Sequence, residues 1–209
     1  PSEILPEVHP SSFLFGKTAT FGPLKSGIPI AALVGDQQGA LYGQGCYRSG
    51  EMKNTYGTGC FLVVNQGKHY RSPSQGLLGT LACDVDGKPA YALEGAVFIA
   101  GPCLQWLRDG LGLIRKAADS EKIARRLRDT GGVIMIPAFT GLGAPHWNPN
   151  VRGAIFGLTR GTGRGHLVKA ALESIAYQTA DVFEAMTRVV GRRPRFLKVD
   201  GGAAANNYL

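Results

Sequence analysis

The sequence predicts an α/β fold in which a mixed β-sheet is flanked by helices. Two hairpin patterns with glycine turns occupy residues 53–64 and 77–93, and helical and strand patterns alternate after residue 95. Hairpins followed by alternating helices and strands are typical of a mixed sheet with helices packed against it. The composition agrees, because a chain of 209 residues that is 44% hydrophobic and 18% charged is able to bury a core.

The first predicted elements lie at residues 28–44. Residues 28–34 (IPIAALV) are apolar on both faces, which predicts a strand buried on both sides of a sheet. Residues 37–44 predict a short helix with Ala40 and Leu41 turned inward and Gly45 as its C-terminal stop. The stretch before them is rich in proline and lacks helical or strand periodicity, so it predicts neither element.

The two hairpins follow. Residues 53–56 and 60–64 read as strands around the turn Gly57-Thr58-Gly59, and residues 77–83 and 89–93 as strands around Asp86-Gly87. Asp-Gly is a strong turn signal, because both residue types tolerate the positive φ angles of tight hairpin turns.

Helices dominate the second half. The sequence predicts helices at 96–107 and at 120–128, the latter with Ser120 as N-cap, and a buried strand at 132–137. Apolar residues spaced by three and four predict a long helix at 166–190 that Gly191 ends. A last strand at 196–199 opens into Asp200-Gly201-Gly202, and Asn206 would begin a further helix. This order of elements suits one half of a ribonuclease-H-like or actin-like protein better than it suits a purely parallel sheet.

The net charge of +8 favours acidic partners such as nucleotides, nucleic acid or anionic membranes, although the charges are spread and also suit solvated helix faces. No apolar run is long enough to cross a bilayer and no secretion signal is visible, so no membrane contact is expected. The four cysteines lack a CxxC pair, which indicates reduced thiols in a cytoplasmic protein. The four histidines are scattered, so no protein-held metal is predicted.

Three loops carry candidate chemistry. The turn at Thr58 and the turn after Asp200 combine glycines with exposed amides, which suits an anion or a nucleotide as well as an ordinary tight turn. Asp36 follows a predicted strand, at the sheet edge where α/β proteins place their ligands. Its carboxylate is therefore either a general base that accepts a proton from an attacking hydroxyl or a helix N-cap.

Several longer motifs resemble the FGGY carbohydrate-kinase family of the actin-like ATPase superfamily, in particular its glycerol-phosphorylating members. These motifs are GDQQ at 35–38, NTYGTGCF at 54–61, YALEGAVFIAG at 91–101, PAFTGLGAPHW at 137–147 and VDGGAAANN at 199–207. The resemblance implies a ribonuclease-H-like fold and the ATP-dependent conversion of glycerol to glycerol 3-phosphate, with Mg2+ accompanying the nucleotide. It also implies that residues 1–45 are the end of an N-terminal domain plus an interdomain helix, and that residues 46–209 are a C-terminal domain truncated at its end.

The same resemblance implies the site residues. Asp36 matches the catalytic base and, with Gln37, the glycerol-binding pair. The nucleotide-binding positions are Thr58, Gly101, Gln105, Gly202 and Asn206. The resemblance further implies a missing N-terminal domain, without which the isolated fragment is expected to be inactive, and a homo-oligomer.

Residues 21–27 (FGPLKSG) depart from the family pattern. Some bacterial members bind fructose 1,6-bisphosphate through an arginine at the position of Gly27, so this inhibition is not expected here. Two alternatives to a glycerol-phosphorylating enzyme stay open on the residues alone: a related sugar or polyol kinase, and a nucleic-acid-binding module of ribonuclease-H-like fold.

Overall fold

The computed structural model describes residues 2–209, which divide into two compact units with a boundary between Gly39 and Ala40. In the first unit, β1 (Ser12–Lys17) pairs antiparallel with β2 (Pro29–Ala32) after a short 3-10 turn at Ser2–Ile4. All four residues of β2 are exposed, so the expectation of a strand buried on both sides is wrong, and β1 was not predicted. A two-stranded ladder does not cover both of its faces, whatever the apolar content of its strands.

The second unit is built on a five-stranded sheet with the order β5-β6-β4-β3-β9. Its strands are β3 (Met52–Tyr56), β4 (Cys60–Gly67), β5 (Leu78–Cys83), β6 (Pro89–Val97) and β9 (Leu197–Asp200). The neighbouring pairs are antiparallel except β3 and β9, which run parallel. Both predicted hairpins and the mixed sheet are therefore confirmed.

Apolar cores lie on both faces of this sheet. The long helix α4 (Arg164–Val190) lies on one face, where Ile175, Val182 and Met186 share a core with Leu62 and Val64 of β4. Successive strand residues point to opposite faces. Accordingly Val63 belongs to a separate core with Leu41, near the end of α1 (Asp36–Gly43). The predicted inward position of Leu41 and the αL stop at Gly45, with φ 67°, are confirmed.

A further core joins α4 to α2 (Gly101–Asp109), α3 (Asp119–Arg125) and β7 (Ile134–Ile136). Residues 96–97 were expected to begin a helix but continue β6 instead, because they complete its ladder with β4. Ser120 is not an N-cap. It lies inside α3, and its hydroxyl donates to the Ala117 carbonyl at 2.6 Å. Strand β8 (Ala154–Phe156), which pairs with β7, was not predicted.

The four cysteines are free thiols, and Cys46, Cys60 and Cys103 are buried. Burial raises the pKa of Cys46 and Cys60 to about 11 and that of Cys103 to about 12, so these thiols stay protonated at neutral pH. Among residues 2–209, no helix has both the length and the apolar character needed to cross a membrane.

Candidate functional site

Two glycine loops leave the same edge of the five-stranded sheet. Strand β3 ends at Tyr56 and β9 ends at Asp200, and because the strands are parallel with Thr55 opposite Asp200, both carboxyl ends meet there. This edge is where α/β sheets place their ligands. The register therefore brings the loop at Thr58 and the loop at Gly202 to one side of the second unit.

The first loop is a tight turn closed by a hydrogen bond from the Gly57 amide to the Gly59 carbonyl at 2.9 Å. Thr58 is exposed at its tip. The two glycines serve different purposes. A Cβ at Gly59 would overlap the carbonyl oxygen of Val97, whereas a Cβ at Gly57 would meet nothing within 4 Å. Gly59 is thus required by packing, and Gly57 leaves the backbone open to a ligand.

The start of α2 lies against this turn. The amide of Ala100 donates to the Thr58 carbonyl at 2.9 Å, and that of Gly101 donates to the Gly57 carbonyl at 3.0 Å. A Cβ at Gly101 would approach the Gly57 carbonyl oxygen to 2.9 Å, so glycine permits this close contact. Gln105 follows one helical turn later and is exposed. The structure therefore brings Thr58, Gly101 and Gln105 together in one region.

The second loop is seated on the end of β3. Gly201 has φ 86° and ψ 168°, a conformation that is essentially restricted to glycine, and a Cβ there would overlap the carbonyl oxygen of Tyr56. A short 3-10 helix (Gly202–Ala205) follows, and a Cβ at Gly202 would meet nothing within 4 Å. Gly202 thus follows directly after the residue that is seated on Tyr56, with open space at its Cα.

Asn206 does not begin a helix as expected; it ends the 3-10 turn. Its side chain is used within the chain, because Nδ2 donates to the Ser120 hydroxyl at 3.2 Å and Oδ1 accepts the amide of Tyr208 at 3.0 Å. These bonds fasten the segment after β9 to α3. A nucleotide contact by Asn206 stays a prediction.

The carboxylate of Asp200 is held by residues that sequence reasoning missed. Gln44 donates from Nε2 to Asp200 Oδ2 at 2.9 Å, and the buried Lys53 donates from Nζ to the Thr55 hydroxyl at 2.8 Å. Partial burial alone would raise the pKa of the Asp200 carboxyl. The hydrogen bonds from Thr55 and Gln44, together with the charge of Lys53, outweigh that effect and hold the pKa below its usual range. The run of polar residues at 53–55 in β3 was the available signal, but only the register with β9 reveals that Lys53 and Thr55 act on Asp200.

Asp36 and Gln37 belong to the first unit, at the start of α1. Asp36 is exposed, and its Oδ1 accepts the amide of Gln37 at 2.8 Å while its Oδ2 accepts the Gln37 side-chain Nε2 at 3.2 Å. An N-cap carboxylate usually accepts an amide two or three residues ahead. The observed bonds instead join Asp36 to Gln37, so the two predicted glycerol-binding residues lie side by side.

These features define an α/β domain of ribonuclease-H-like type, with glycine loops that expose backbone at one sheet edge. The chain belongs to the FGGY family of carbohydrate kinases, since residues 52–209 match the C-terminal domain of that family. The family expected from the motifs is thereby confirmed.

Individual relatives agree with this assignment. The chain is 56% identical over its whole length to the glycerol kinase of Carboxydothermus hydrogenoformans and spans 42% of that protein. Among solved structures, it is similar to Plasmodium falciparum glycerol kinase with ADP, with a TM-score of 0.86, 37% identity and coverage of 98% of this chain and 41% of the other. Xylulose kinase from Rhodospirillum rubrum, at 22% identity and a TM-score of 0.77 over 99% of this chain and 42% of its own, shares the fold. The chain thus spans about two fifths of the length of the curated relatives it matches.

Proposed function

We propose that this chain contributes the catalytic base and the nucleotide loops of a cytoplasmic ATP-dependent glycerol kinase. The enzyme transfers the terminal phosphoryl group of ATP to a primary hydroxyl of glycerol and yields glycerol 3-phosphate and ADP. The observation that carries the proposal is the contact between the Thr58 turn and the start of α2, together with the Gly202 loop that leaves the same sheet edge, because four of the five predicted nucleotide-binding positions lie on these segments. The similarity to a glycerol kinase structure with ADP supports the nucleotide.

The loops suit phosphate groups for a physical reason. Open space beside Gly57 and Gly202 allows oxygen atoms to approach the main chain, and the Thr58 hydroxyl adds a donor. Gln105 is exposed one turn into α2, so its amide is available to hydrogen-bond the same ligand. Preorganised donors of this kind stabilise the charge that develops during phosphoryl transfer.

The roles proposed for Asp36 and Gln37 rest on the exposure of Asp36 and on the position of Gln37 directly beside it. The Asp36 carboxylate keeps acceptor positions beyond those that Gln37 uses, so it is able to orient a glycerol hydroxyl and take its proton as the oxygen attacks. Gln37 lies beside it and offers polar atoms to a neighbouring hydroxyl. These two residues thus act on the acceptor and the glycine loops act on the donor.

Mg2+ would accompany the nucleotide. Within residues 2–209, no group of three or more His, Cys, Asp and Glu side chains is arranged to hold a metal ion. The residues present therefore fit an ion held chiefly by the phosphates, where it would neutralise their charge. The remaining contacts to ATP and glycerol would come from a further domain, since the relatives are more than twice as long.

The test is a chimaera in which these 209 residues replace the matching segment of the C. hydrogenoformans relative. We expect ATP-dependent release of ADP with glycerol, at a rate within about tenfold of the parent enzyme. The matched control replaces the same segment and carries Asp36→Asn. A folded chimaera that phosphorylates xylulose but not glycerol would refute the proposed acceptor, and one inactive with every polyol and sugar would refute the proposed function.

A further inference from the structure

A basic pocket lies at the opposite edge of the five-stranded sheet, where β3 and β9 begin. Met52 and Leu197 are paired there in register, and the pocket beside them has a volume of about 500 Å³. With a rise of about 3.3 Å per residue, the length of β3 separates it from the Thr58 turn by about 13 Å. The pocket is therefore distinct from the nucleotide loops.

The lining of this pocket is strongly cationic. Five cations contribute to it, against a single carboxylate, Glu51; they are Arg48, Arg192, Arg193, Arg195 and Lys198. Glu51 accepts the main-chain amide of Arg48 at 3.0 Å. In the part of the chain that the structure describes, none of these five cations forms an ion pair with a carboxylate; the ion pairs present involve other residues. The positive charge is thus left uncompensated.

One of the cations, Lys198, is held in place by hydrogen bonds, and another, Arg192, lies against the main chain. Gly50 is buried with φ 84°, and the guanidinium of Arg192 lies so close to it that a Cβ would overlap its nitrogen atoms. Lys198 donates from Nζ to the carbonyls of Gln44 at 2.7 Å and Gly45 at 2.9 Å, which position its charge without neutralising it. Cations that are held in position lose little side-chain entropy when an anion arrives.

We propose that this pocket binds a small anion that carries at least two phosphate charges. Guanidinium groups present paired donors that match phosphate oxygens, and several unpaired cations around one cavity repel each other until an anion enters. The volume lies within the range of small-molecule sites, which is about 300–1,000 Å³. A concave cluster of this size fits a compact phosphate compound better than the extended backbone of a nucleic acid, which binds along a groove or stripe of cations.

The experiment uses inorganic pyrophosphate as the probe and isothermal titration calorimetry on the 209-residue chain at about 0.1 M salt. We expect submillimolar binding to one site. The triple variant Arg192→Gln, Arg193→Gln and Arg195→Gln should bind at least tenfold more weakly, since each charged hydrogen bond to phosphate accounts for about tenfold or more. Because Arg193 is exposed, Arg193→Gln alone should keep the fold and still weaken binding several-fold.

A matched control variant removes three positive charges outside the pocket. Arg115, Lys116 and Arg126 are exposed and lie outside the pocket, so replacing all three with glutamine should leave the affinity within twofold. Gly57→Val should also leave it unchanged, because the pocket is separate from the Thr58 turn. The proposal is overturned by an equal loss in both triple variants, by a loss with Gly57→Val alone, by no binding at 5 mM pyrophosphate, or by a short DNA duplex that binds more tightly through the same arginines.

Discussion

Gln44 donates a hydrogen bond to the carboxylate of Asp200 and so ties the segment after α1 to the glycine loop at the end of β9. The carbonyl of the same glutamine accepts a hydrogen bond from Lys198, which lies two residues before Asp200 on the same face of β9. Thr55 and Lys53 act on Asp200 from the neighbouring strand β3. A single carboxylate is thus the junction of three segments, and its charge state should affect how firmly the Gly202 loop is held.

This junction predicts a pH dependence of stability. The folded pKa of Asp200 lies below its unfolded value of about 3.9, so the carboxylate stabilises the fold at pH values above that figure. The stabilisation is lost as the pH falls from about 4 through the folded pKa. We expect Asp200→Asn to have a lower Tm than the unsubstituted protein at pH 6, as measured by circular dichroism. At pH 3 the difference in Tm between the two proteins should be smaller. Other carboxylates titrate in both proteins, so the Tm difference between the two proteins reports on Asp200 alone. A Tm difference of equal size at both pH values would contradict the prediction.

The two glycines after Asp200 should differ in how much their replacement by alanine lowers the free energy of unfolding. Gly201→Ala places a Cβ against the Tyr56 carbonyl in a conformation that disfavours side chains, and we expect it to lower the free energy of unfolding by about 2–4 kcal/mol. Gly202→Ala adds a Cβ in open space and should change it by less than about 0.5 kcal/mol. Urea denaturation of the two variants tests this. Equal effects would show that the loop is not seated on β3.

In the Thr58 turn, one glycine substitution should affect the stability of the domain and another should affect nucleotide binding. Gly59→Val should destabilise the domain by about 2–4 kcal/mol, because its side chain would meet the main chain of β6. Gly57 lacks a positive φ, so Gly57→Val should fold normally and instead weaken ADP binding at least tenfold by blocking the approach of phosphate. Calorimetry with ADP and thermal denaturation, both on the chimaera, measure the two effects. Undiminished ADP affinity in Gly57→Val would remove the turn from the site.

Most of the second unit could be predicted from local patterns, and the exceptions have physical causes. Glycine turns and alternating residues predicted both hairpins, and the spacing of apolar residues predicted α4. The apolar residues at 96–97 suit a helix and a strand equally, and only the partner strand β4 decides between them. The apolar run at 28–34 likewise predicted a strand but not its exposure, since exposure depends on what covers a strand.

The candidate site was less predictable than the fold. Motifs selected Thr58 and Gly202 one by one, but the hydrogen bonds that join Gly57 to Gly101 depend on the tertiary arrangement. Gln44 and Lys53 lie outside the motifs, and Lys53 and Thr55 act together on Asp200 only because β3 and β9 are parallel and in register. The basic pocket was missed for the same reason, because its cations come from two segments more than 140 residues apart in the sequence.

The two interpretations of Asp36 are distinguished by one substitution. The side-chain oxygen of asparagine is able to accept the same amide of Gln37, so Asp36→Asn should leave the start of α1 and the Tm unchanged. It cannot take a proton from glycerol, because an amide is a far weaker base than a carboxylate. In the chimaera we therefore expect kcat to fall by at least about 10², with the affinity for ATP nearly unchanged.

Steady-state kinetics with glycerol and ATP, together with a melting curve, measure both quantities. Asp36→Ala serves as the comparison, since it removes the hydrogen bonds to Gln37 as well as the base. Turnover by Asp36→Asn within threefold of the unsubstituted chimaera would mean that Asp36 only begins the helix.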